Sequence, residues 1–104
     1  MTRGIGTPLW MAPEILAGQK YGPSADVYSY AILLWEIAAQ AEPWAEVEGS
    51  FLCDLLLDKI DSGERPAVEA GWPEDYVLLM QQCWLRDPAA RPQFRDIGKR
   101  FDAS

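Results

Sequence analysis

A few stretches invite a chemical reading. Cys53 and Cys83 are the only cysteines, and the chain has no histidine. Two distant thiols without an imidazole do not make a metal site. Each cysteine lies in an apolar helical pattern, which reads as a pair of reduced core thiols in a cytosolic protein. "TRGIG", residues 2–6, carries glycines but is no phosphate cradle, because its spacing is wrong and it precedes no strand-to-helix turn. "GTPLWMAPEIL", residues 6–16, is different. Pro8 and Pro13 restrict the backbone on either side of Trp10 and Met11, and Gly6 permits close backbone approach. A loop built this way holds one shape against a partner.

The elements that must position this loop read as helices. Gly4, Gly6 and Pro8 mark residues 1–9 as loop. "PEILAG" reads as a short helix, with Pro13 suited to its first position and Gly18 to its stop. After "YGPS", Ser24 is the expected N-cap of a longer helix over residues 25–39. Val27, Tyr30, Ala31, Leu34 and Ala38 form an apolar stripe, while Tyr28, Ile32, Leu33, Trp35 and Ile37 fill the other sides. A helix apolar all round is a buried helix, and so short a chain has trouble surrounding one. Some of its covering layers are therefore expected to be missing.

Beyond the loop "AEPWAEVEG", Phe51, Leu52, Leu55, Leu56 and Ile60 mark a helix that ends near Gly63. A second loop, "ERPAVEAGWP", leads to Tyr76, Leu79, Met80, Cys83 and Trp84 at helical spacing. A last short helix after Pro92 carries Phe94, Ile97 and Phe101. No strand pattern, internal repeat or low-complexity segment stands out. The class is all-α, with a central buried helix, surrounding helices and long Pro-rich loops.

The totals agree with one small domain of 104 residues, 49% of them apolar. That apolar content disfavours disorder. A net charge of −7 disfavours nucleic acid, whose phosphates need clustered Lys and Arg, and an anionic membrane surface likewise. The longest apolar run, "YAILLW", is far too short to span a bilayer, so a cytoplasmic location is expected.

"GTPLWMAPE", "SADVYSYAILLWEI", "GERP" and "CWLRDPAARPQF" occur here in the order and spacing of the C-terminal lobe of protein kinases. The chain resembles that lobe over nearly its whole length, and looks most like the tyrosine-kinase-like group of Ser/Thr kinases. The resemblance implies that residues 1–104 are the C-terminal part of a kinase domain, running from the end of the activation segment to the last helix. Residues 6–16 would be the loop that grips the peptide substrate just after its phosphorylated residue, with Pro8 and Met11 lining the pocket.

Residue by residue, the resemblance implies further roles. Thr7 stands where Ser/Thr kinases tie a threonine to the catalytic aspartate and lysine; tyrosine kinases carry a proline there and a basic residue in place of Leu9. Read by itself, Thr7 could simply cap a turn. Glu14 and Arg91 match an ion pair that joins the activation segment to the loop before the last helix. Asp26 matches the aspartate that hydrogen-bonds the catalytic-loop backbone, and it also suits the first turn of a helix. Glu36 matches a position that contacts basic residues of some substrates. Ala31 replaces the glycine common in this helix.

The chemical motifs of the family do not occur in these residues: no Gly-rich loop, strand lysine, His-Arg-Asp or Asp-Phe-Gly. No catalytic or metal-binding residue is expected in the chain, and the 104 residues alone are expected to transfer no phosphate. ATP and Mg would belong to the intact parent, a Ser/Thr kinase. The expected partners are the protein substrate and the missing part of the kinase domain. The alternative is a non-catalytic kinase remnant that binds partners through its helices, using Trp44, Trp72 and uncovered apolar surfaces.

Overall fold

The computed structural model describes residues 8–45, 47 and 52–102. The α-helices among them are α1 (Pro13–Leu16), α2 (Pro23–Ala39), α3 (Leu52–Asp61), α4 (Glu74–Cys83) and α5 (Phe94–Asp102). Short 3-10 turns span Pro8–Trp10 and Pro88–Ala90, and no strand occurs among the described residues. Hydrophobic periodicity does not reveal these turns, because each is only 3 residues long. Phe51 lies outside the described residues, as does the side chain of Phe101.

Helix α2 is the axis of the molecule. It packs against α4 and both 3-10 turns, while α3 packs against α1 and the first turn. Its start differs from the expectation. Gly22, not Ser24, is the N-cap, and Pro23 occupies the first turn. Proline lacks the N–H that a first-turn residue leaves unpaired anyway, and its fixed φ suits the helix. The helix therefore begins before Ser24 can cap it.

The buried face of α2 also differs from the expected stripe. Ala25, Val27, Tyr28, Ala31, Ile32 and Trp35 are buried, whereas Tyr30 and Leu34 are only partly covered. Leu33 and Ile37 are exposed at 43% and 57%. When nearly every position is apolar, periodicity cannot choose a face; the neighbouring helices choose it.

Two glycines end helices because their backbones turn left-handed. Gly18 (φ 73°) follows α1, and Gly63 (φ 94°) follows α3. At the second, Gly63 N–H donates to Ile60 O at 3.0 Å and Glu64 N–H to Lys59 O at 3.0 Å. That is the paired closure in which a residue without Cβ is favoured.

Helix α3 buries Leu56 and Ile60, four residues apart, with Leu52 packed against the core on the same line. Cys53 lies one residue further round and is exposed, so it is not a core thiol; Cys83 is fully buried. Leu55 is exposed for the same reason. Trp44, expected at a partner-binding surface, is 4% exposed and belongs to the core, and Trp72 packs partly against it. In α4, Leu79, Met80 and Cys83 are buried and the Tyr76 hydroxyl donates to Leu34 O, tying α4 to α2. The Phe94 ring of α5 meets Tyr30 edge-on, with centroids 5.6 Å apart. Among the described residues no helix is long and apolar enough to cross a membrane.

Candidate functional site

The Pro-rich stretch is seated on α2. Leu9, Trp10 and Ala12 are buried. Trp10 Nε1–H donates to Glu36 Oε1 at 3.1 Å, and Ser29 Oγ–H donates to Trp10 O at 2.6 Å. Residues 29 and 36 lie seven apart, two turns along one helix face, so a single side of α2 holds the turn at both ends of Trp10. Met11 is half-buried beside it, and Pro8 opens the 3-10 turn. Thr7 lies outside the described residues.

Behind this stretch, α1 delivers Glu14 to Arg91 across 77 positions of sequence. Arg91 Nη1 donates to Glu14 Oε2 at 2.7 Å and Nη2 to Glu14 Oε1 at 2.9 Å. The contact is bidentate, the geometry that suits a guanidinium to a carboxylate. The remaining guanidinium donors are used as well: Nη1 to Ser24 O at 2.9 Å, Nη2 to Arg86 O at 3.3 Å and Nε to Leu85 O at 2.8 Å. The side chains are 0% and 3% exposed for Arg91 and Glu14. Burial alone would raise the Glu14 pKa, but the Arg91 hydrogen bond, a backbone hydrogen bond and the Arg91 and Arg86 charges together hold it below the ordinary value. The carboxylate is therefore ionised at neutral pH and locked to its partner.

Tyr28 forms the wall of this cluster. The Arg91 guanidinium carbon stands 5.1 Å from the Tyr28 ring centroid, and that of Arg65 stands 5.9 Å from it. Both lie within cation–π range. The Tyr28 hydroxyl is buried with no hydrogen-bond partner among the described residues, and burial pushes its pKa up to about 12 despite the nearby arginines. Arg65 is itself tied down: Nε donates to Trp84 O at 2.9 Å, and Nη1 to Ile60 O at 3.1 Å and Glu64 O at 2.7 Å. Tyr28 thus links the arginine that joins α1 to the loop before α5 with the arginine that joins the ends of α3 and α4. Sequence reasoning missed Ser29, Tyr28 and Arg65. The seven-residue step from Ser29 to Glu36 and the Arg in "GERP" were the available signals.

The other anticipated residues are placed less centrally. Asp26 is exposed in the first turn of α2, and its carboxylate has no hydrogen-bond partner among the described residues. Glu36 is half-buried, and its Oε1 is already engaged by Trp10. Among the described residues no group of three or more His, Cys, Asp or Glu could hold a metal ion. What the arrangement does chemically is hold a rigid, half-aromatic loop against a helix by polar contacts to Trp10 and a buried ion pair.

Comparison with known proteins places this geometry. The model for the protein tyrosine and serine/threonine kinase family matches residues 2–101. Cyclic GMP-binding protein C of Dictyostelium discoideum is 40% identical over 97 residues, covering 93% of this chain and 4% of that protein. The probable serine/threonine-protein kinase drkD of the same organism is 44% identical over 92 residues, 88% of this chain and 7% of that protein. Mitogen-activated protein kinase kinase kinase 7 of Bos taurus is 34% identical over 99 residues, 95% of this chain and 17% of that protein. The chain thus spans only a small part of the length of these relatives. With the match running through the Trp10 loop, the Glu14–Arg91 pair and α2 alike, the chain belongs to the protein kinase family.

Proposed function

We propose that these 104 residues are the C-terminal part of a kinase domain, and that the intact parent transfers the γ-phosphate of ATP to serine or threonine of a protein substrate. The chain's own task is to grip the substrate and support the catalytic loop. One observation carries the reading: the loop of residues 8–16 is fixed at Trp10 by Ser29 and Glu36 and at Glu14 by Arg91. Phosphoryl transfer depends on positioning, and a loop pinned in this way presents a fixed surface to a peptide. Pro8 and Met11 line the pocket for the residue after the phosphorylated one. Exposed Asp26 is free to accept hydrogen bonds from the catalytic-loop backbone supplied by the rest of the domain. Glu36 holds Trp10 first, which leaves its second oxygen for a basic substrate residue. ATP and Mg belong to the rest of the parent. A cytoplasmic setting would keep Cys53 and Cys83 reduced.

The Ser/Thr assignment rests on Thr7, whose hydroxyl, by resemblance, bridges the catalytic aspartate and lysine. In the intact parent, Thr7→Ala should lower turnover on a Ser/Thr peptide by roughly ten- to a thousandfold, the size of a lost positioning contact, with an unchanged melting temperature. Thr7→Ser should keep much of the activity. Turnover unaffected by Thr7→Ala, or a parent that phosphorylates only tyrosine, would refute the assignment.

A further inference from the structure

An open groove with a volume of about 610 Å³ lies between the end of α3 and the end of α4. No residue that lines it belongs to the Trp10 loop, α1 or α2. Its lining combines two exposed apolar side chains, Val68 and Leu85, with Arg65 and Arg86. Both arginines are held in place. Arg65 donates to the carbonyls of Trp84, Ile60 and Glu64, and Arg86 Nε donates to Asp61 Oδ1 at 2.6 Å. The terminal nitrogens of Arg86 have no partner among the described residues, and its side chain is 40% exposed.

Among the residues that line the groove, Arg65 and Arg86 face a single acid, Asp61, so its lining is cationic on a chain whose total charge is −7. A carboxylate is attracted to that lining. Arg65 lies below the ordinary arginine pKa, through burial first and then the neighbouring Arg91 and Arg86 cations, with Tyr28 and Asp61 acting oppositely. A bound carboxylate would relieve that crowding of positive charge. A guanidinium anchored through Nε offers its two terminal nitrogens as a fork to a carboxylate, and Val68 and Leu85 supply the apolar contact beside it.

From this geometry we propose that the α3–α4 groove is a docking site for a short peptide segment of a partner protein, one that presents a carboxylate next to an aliphatic side chain. It is separate from the loop that grips the phosphorylated residue, and it does not depend on whether the parent is active. The probe is a positional-scanning library of fluorescein-labelled octapeptides, including phosphoserine pools, titrated with the full chain and read by fluorescence anisotropy. The expected selection is for Asp or Glu adjacent to Leu, Ile or Val. Arg86→Glu and Val68→Asp should each weaken the selected peptide by about tenfold or more, the scale of one lost charged or packed anchor. Lys20→Ala, away from the groove, should leave binding unchanged. Arg86→Gln serves as the second variant should charge reversal disturb folding, and circular dichroism melts check each one. The proposal is overturned if no pool binds better than a scrambled one. Selection that requires phosphoserine overturns it too, as does binding that survives Arg86→Gln and Val68→Asp within about twofold.

Discussion

Replacing Arg91 by methionine should nearly unfold the chain, and the size of the loss follows from the burial of Glu14. The methionine fills much of the arginine's volume but removes the cation bonded to a carboxylate whose side chain is 3% exposed. Breaking a buried pair from one side typically costs about 3–5 kcal/mol. The carbonyls of Leu85, Arg86 and Ser24 lose a donor in the same step. Domains of this kind are stable by about 5–15 kcal/mol in total, so the variant should retain little margin. Urea titration followed by circular dichroism measures the difference. The pH dependence adds a second reading. In the parent, the Glu14 pKa lies below its ordinary 4.5. Its contribution is fully present above that value and lost as pH falls through the lowered one. Without Arg91, burial pushes the pKa upward against only the backbone hydrogen bond and the Arg86 charge, so the variant should lose less stability on acidification than the unsubstituted chain. The gap between them should therefore narrow as the pH falls below neutrality. Adding Glu14→Leu should recover about 2 kcal/mol relative to Arg91→Met alone, because the stranded charge is gone. A cost below about 1 kcal/mol, the range of exposed ion pairs, or a gap insensitive to acid would refute this account.

Two further substitutions test the neighbouring contacts. Tyr28→Phe should raise stability by about 1 kcal/mol, since the hydroxyl it removes is buried without a hydrogen-bond partner among the described residues; a loss of stability in urea titration would show that the hydroxyl is satisfied after all. The folded Tyr28 pKa of about 12 exceeds its ordinary 10.0. The native state should therefore be fully stabilised below pH 10.0 and lose about 2–3 kcal/mol as pH rises towards 12, a loss that Tyr28→Phe abolishes in alkaline melts. Trp10→Phe keeps an aromatic body but removes the hydrogen bond to Glu36, and should cost about 1–3 kcal/mol in the same titration; no change would mean that the indole N–H does not hold the loop.

Much of the architecture was legible in the sequence because it rests on local rules. Gly18 and Gly63 stop helices, and both adopt the left-handed backbone that favours glycine. Leu79, Met80 and Cys83 fall on one face of α4 by spacing alone. The family was legible too, since "GTPLWMAPE" and "CWLRDPAARPQF" are long blocks in fixed order. The tertiary structure decided what spacing could not. It turned Tyr28, Ile32 and Trp35 inward and left Leu33 and Ile37 exposed, because on a helix apolar all round the neighbouring elements select the buried face. It sent Cys53 outward, one residue past the line of Leu52, Leu56 and Ile60. It placed Arg65 and Arg91 on either hand of the Tyr28 ring and the Trp10 indole on Glu36. Those contacts join residues far apart in the chain, and no periodicity encodes them. They exist only once the helices have packed and the guanidinium groups have taken the nearest acceptors.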